Sequence, residues 1–146
     1  MVPFYALIVS FAVFRALGLL GISYFDDWQS PLQWAVAVML LLTASAHWGG
    51  KRADLIRMVP PALPRPDLLV SATGLLEIAG ALGIVLPGVS RLASVCLAVM
   101  LIAMFPANVR AAQEKLTIGG RPVPGLPART LLQAVFIAAI LLAGWL

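Results

Sequence analysis

The chain has 146 residues, 62% apolar and 11% charged, with a mean hydropathy of +1.00. A soluble domain carries about a quarter charged residues to face water, so a water-soluble globule is excluded, and so is a disordered chain. In a soluble protein the net charge of +4 and pI near 10.0 would suggest nucleic acid; here the basic residues sit in short loops between apolar runs, where membrane topology accounts for them.

Five apolar stretches follow one another, at about residues 3–24, 32–48, 67–86, 92–109 and 130–146. Each is close to the roughly 20 residues that cross a ~30 Å hydrocarbon core. The expected fold is all-α: a polytopic transmembrane helix bundle of five helices in a single domain, residues 1–146. The first stretch has no basic n-region and Arg15 interrupts it, so it reads as a mature helix rather than a signal peptide. After the second stretch come Lys51, Arg52, Arg57 and Arg65, with Leu55, Ile56, Met58 and Val59 among them. That mixture predicts a short interfacial helix over 53–59, ended by Pro60 and Pro61. The loop after the fourth stretch holds Arg110, Lys115, Arg121 and Arg129 among many glycines and prolines, and an irregular hairpin is expected there. Eight basic residues thus share one side, while Arg91 stands on the other with Asp26 and Asp27. The positive-inside rule then puts the N-terminus in the cytoplasm and the C-terminus outside. Trp28, Trp34 and Trp145 fall at the outer interface and Trp48 at the inner one.

Cys96 and His47 are the only residues of their kinds, which removes an intrachain disulfide, a CxxC pair and a multi-histidine metal site; no metal or cofactor is expected. Arg15 and Glu77 lie at membrane depth, where an unpaired ionisable group costs several kcal/mol. Counted from the cytoplasmic ends at ~1.5 Å per residue, Arg15 is about 20 Å deep and Glu77 about 15 Å. An Arg15–Glu77 ion pair near the midplane is the expectation. The helical neighbours of Glu77 are Thr73, Gly74, Gly80 and Ala81, a small-residue face that suits the bundle interior, while Leu75, Ile78, Leu82 and Val85 suit lipid.

His47 and Asn108 lie within about a turn of the inner boundary. Pro106 lacks an N–H and leaves a carbonyl near residues 100–102 seeking a partner. These groups predict a cytoplasm-facing intramembrane pocket. Glu77, His47 and Asn108 are its candidate catalytic residues, Arg15 its floor, and Thr43, Thr73, Met58 and Pro106 further ligand contacts. Glu77 would serve as acid or base, His47 would shuttle protons, and Asn108 would orient a substrate oxygen, in isomerase- or hydrolase-like chemistry. The plainer alternatives stay open: a buried Arg–Glu pair that fixes registry, a histidine that only hydrogen-bonds, and an asparagine that caps a helix.

Ala46-His47-Trp48, Asp54 to Pro60, Gly74-Leu75-Leu76-Glu77-Ile78-Ala79-Gly80-Ala81 and Phe105-Pro106-Ala107-Asn108-Val109 resemble, in order and spacing, the DoxX-like family of small bacterial membrane proteins. The likeness spans roughly residues 40–146 and includes the entry to the last helix, Arg129 to Gln133. It implies a four-helix core formed by helices two to five, with helix one as an addition. It also implies an inner-membrane location and a link to quinol- or thiosulfate-dependent redox complexes. A quinone, isoprenoid or similar lipid-soluble molecule is the implied ligand. The alternative is a non-enzymatic membrane anchor or assembly subunit of a quinone-linked complex, with a cytoplasmic oxidoreductase as partner. A self-contained transporter is disfavoured by the lack of an inverted repeat. Membrane lipids are expected partners, nucleic acid is not, and small residues such as Gly18 and Gly83 leave room for an oligomer.

Overall fold

A computed structural model describes residues 1–146. Helix α1 spans Val2–Leu19 and is followed by a 3₁₀ turn at Ser23–Phe25. Helix α2 spans Gln29–Ser45, α3 Arg52–Met58, α4 Pro66–Val85, α5 Ser90–Ala103, α6 Phe105–Gln113 and α7 Leu126–Trp145. Between α6 and α7 lies a two-stranded hairpin, β1 Thr117–Ile118 against β2 Arg121–Pro122. Its turn is Gly119-Gly120 with φ of +60° and +78°, backbone that a side chain would strain. The loop expected to be irregular is thus a short ordered hairpin.

Four helical segments are long and apolar enough to cross a membrane: Val2–Leu19, Pro66–Val85, Ser90–Gln113 and Leu126–Trp145. Helix α2 has 17 residues and is the most enclosed of all, touching α1, α4 and α7. Helices α2, α4, α5 and α7 close a ring, each packed on the next, and α1 lies outside it against α2. The ring's interior is Ala35, Val36, Met39 and Leu40 of α2 with Ala81 and Ile84 of α4, Leu97 of α5, and Ile140 and Ala143 of α7. Leucines and valines such as Leu75, Leu82, Leu92 and Val99 point outward instead. An inside of small and branched residues with a leucine-rich outside is the pattern of helices that associate by close packing within lipid.

The helices lie near the expected stretches, with one instructive difference. The fourth stretch is broken at Met104, where the Ala107 N–H bonds to the Met104 carbonyl at 3.1 Å and Pro106 opens the new helix α6. The loss of the proline N–H is the cause. The interfacial helix forms as Arg52–Met58, and both basic loops dock on each other through it. The Gly119 N–H donates to Asp54 Oδ2 at 2.9 Å, and Arg110 donates to the Val59 carbonyl.

The expected Arg15–Glu77 pair does not form. Arg15 lies four residues from the end of α1, and its guanidinium donates to the carbonyls of Phe25 and Asp26 at 3.2 and 3.0 Å. It also stands 4.8 Å over the Trp28 ring and 3.8 Å from the Asp26 carboxylate. Counting depth from the chain start misjudged it: α1 turns back after Leu19, so a long cationic arm finds carbonyls at the nearby boundary. Helix α1 also rests on α2, with α2 between it and the Glu77 face of α4.

Candidate functional site

Glu77 is 4% exposed and His47 5%, and both meet Thr43 between α2 and α4. The end of α2 tightens to make this junction. The Ala46, His47 and Trp48 N–H groups bond three residues back, to Thr43, Ala44 and Ser45, before Gly49 and Gly50 release the chain. The tightening leaves the Thr43 carbonyl within 3.0 Å of His47 Nδ1. A carbonyl only accepts, so Nδ1 carries the hydrogen and Nε2 faces Glu77 Oε1 at 3.9 Å. That gap is about 1 Å longer than a hydrogen bond. The Thr43 hydroxyl lies 2.7 Å from Glu77 Oε2 and 3.0 Å from the Leu40 carbonyl, so it holds one carboxyl oxygen in place.

Gly74 makes the approach of α4 possible. A Cβ there would lie 2.7 Å from the Trp48 ring and 2.8 Å from His47 Cβ, so any side chain would push the helices apart. Arg52 locks the same corner from outside. It donates to the His47 carbonyl at 2.8 Å, to the Asp67 carbonyl at 3.0 Å and to Ser71 Oγ at 3.0 Å.

Asn108 belongs to a separate chain of bonds between α5, α6 and α7. Its Nδ2 donates to Gln133 Oε1 at 2.7 Å, its Oδ1 accepts from Arg129, and Gln133 Nε2 donates to the Leu101 carbonyl at 2.7 Å. The carbonyl expected to lose its partner at the proline break is therefore served by Gln133. Arg129 forms no ion pair, and its Nε is buried without a hydrogen-bond partner.

Of the predicted site residues, the structure brings together Glu77, His47 and Thr43. Arg15 is at the opposite end of the bundle. The Thr73 hydroxyl is spent on Leu69 and Val70 of its own helix, Pro106 is exposed, and Met58 is buried on α3. A cleft of about 550 Å³ lies at the end opposite His47 and contains none of the predicted site residues. Gln33, Gln133, Arg52 and Ser71 went unnoticed in the sequence. For the two glutamines there was a signal, since an amide inside an apolar helix must find partners just as an ionisable group must.

The ring of apolar helices around buried polar junctions defines a small helical membrane protein. Residues 36–143 match the family described as Domain of unknown function (DUF8561), and the chain belongs to that family. The matched segment opens within α2 and omits α1, the helix outside the ring. No curated protein and no solved structure matches the chain.

Proposed function

We propose that the protein is a five-span, DoxX-like inner-membrane protein that binds a lipid-soluble small molecule of the quinone or isoprenoid kind and exchanges a proton with it at Glu77 and His47. One observation carries the reading: an acid and an imidazole, both almost fully buried, face each other across 3.9 Å with a threonine holding the acid. A group that only fixed helix registry would need neither two titratable partners nor a gap. An oxygen set beside that gap lies within hydrogen-bond reach of both Nε2 and Oε1, so a carbonyl or hydroxyl of a ligand can take or give a proton there. A junction inside so apolar a chain favours a lipid-soluble molecule. The basic loops put His47 toward the cytoplasm, and α2, with its turn through Trp48, serves as the fifth span.

The test is purification in mild detergent, with mass spectrometry of extracted apolar molecules from wild type, Glu77→Gln and His47→Gln. The expected result is one recurrent apolar metabolite in wild type, bound but no longer turned over or deprotonated in Glu77→Gln. A preparation that holds no such molecule and co-purifies with a soluble oxidoreductase overturns the reading in favour of a membrane anchor.

A further inference from the structure

The outer end of the bundle carries a second polar site, independent of the first. The cleft of about 550 Å³ is bounded by the start of α2, the turn between α4 and α5, and the end of α7. That volume falls within the roughly 300–1,000 Å³ of small-molecule sites. Gln33 lines it at 9% exposure. Both protons of its amide nitrogen are used, on Ser90 Oγ at 3.0 Å and the Ala143 carbonyl at 3.1 Å, while Oε1 accepts no bond. The buried end of the cleft therefore asks for a donor. Its rim asks for an anion. Arg91 lines the cleft, lies 4.9 Å over the Trp145 ring and forms no ion pair. Neither acid of the preceding turn pairs with Arg91: Asp26 lies 3.8 Å from Arg15, and Asp27 accepts from the Ser30 N–H at 2.9 Å while keeping its charge. Helix α5 also opens here without a side-chain cap, which leaves the N–H groups of its first turn free. Tyr24, whose hydroxyl accepts from Trp34 Nε1 at 3.1 Å, keeps its own proton to donate. Trp34, Trp145 and Tyr24 around the mouth place it at head-group depth.

We infer that this cleft binds a phosphate group bearing hydroxyl donors, with the phosphate on Arg91 and the first turn of α5 and a hydroxyl on Gln33 Oε1. Two sources share that chemistry: the head group of an anionic phospholipid and a free glycerol phosphate.

The experiment is native mass spectrometry of the whole chain in a neutral detergent, with phosphatidylglycerol, phosphatidylcholine and glycerol 3-phosphate as probes. Wild type is expected to retain phosphatidylglycerol over phosphatidylcholine, and Arg91→Gln to weaken that retention roughly tenfold, as befits loss of a charge-assisted bond. Gln33→Met is expected to weaken it as well, with helicity checked by circular dichroism. Arg65→Gln, an exposed cation at the other end, is expected to change nothing. Arg91-dependent binding of glycerol 3-phosphate that competes with the lipid also supports the site and names the free source. Equal retention in wild type and Arg91→Gln, or an equal loss in Arg65→Gln, overturns it. Because the readout is head-group retention, failure here leaves the Glu77–His47 reading untouched.

Discussion

At the His47 end of the bundle the polar groups form chains with little redundancy. Glu77 is held by Thr43 alone, and Gln133 is the one link from Asn108 to the Leu101 carbonyl. At the opposite end, around Gln33, the polar groups overlap. The Ala143 carbonyl accepts from both Gln29 and Gln33, and Ser90 both accepts from Gln33 and donates to the Ile84 carbonyl. The titratable pair is enclosed at the His47 end, whereas at the Gln33 end the amide is enclosed and the cation stays at the rim. In lipid a neutral amide can be sunk deep with modest loss, but an ionisable group needs a partner that shares its proton. A closed, singly bonded junction suits proton exchange. An open, doubly bonded one suits holding a head group.

The sharpest way to break this contrast is Gly74→Val. The added side chain meets Trp48 and His47 at less than 3 Å, and overpacking of this kind costs about 1–3 kcal/mol. Gly50→Ala, with no atom near its Cβ, is expected to leave thermal unfolding in detergent unchanged. Next comes Gln133→Leu, which strands Asn108 Nδ2 and the Leu101 carbonyl together and is expected to cost about 1–2 kcal/mol by the same assay. Gln33→Leu is the direct counterpart at the opposite end. Ser90 keeps Ile84 and Ala143 keeps Gln29, so the loss is expected to be about 0.6 kcal/mol, the average for bonds between membrane helices. If Gln33→Leu destabilises as much as Gln133→Leu, the distinction between redundant and single bonding fails. An effect of similar size belongs to Arg15→Gln. It removes a boundary contact to Phe25, Asp26 and Trp28, and about 0.5–1 kcal/mol of α1 docking is expected to go with it, with the ring of four intact.

Much of this architecture was legible in the chain. Apolar run length located the helices, and the small residues at 74, 80 and 81 marked the inward face of α4, because only small residues let helix backbones approach in lipid. Gly74 and Ala81 are buried as that pattern requires, although Val85, assigned to lipid, packs against the core. The proline at 106 announced an unserved carbonyl, and the structure supplies its donor from α7. What failed was depth. Residue counting cannot see where a helix turns back, which is why Arg15 falls to Asp26 and the end carbonyls rather than to Glu77. The tightened end of α2 is also invisible in sequence, yet it orients the imidazole. Gln33 carries no charge and stands alone in an apolar run, yet a neutral amide obeys the same demand for partners as an ionisable group.

His47 is the only histidine, so ¹⁵N-histidine labelling gives one pair of ring-nitrogen signals and a direct test of how the imidazole faces Thr43 and Glu77. The account expects a proton fixed on Nδ1 in wild type, and an Nε2 signal that moves in Glu77→Gln while Nδ1 stays in place. A proton found on Nε2 alone, with both signals indifferent to Glu77→Gln, would contradict it.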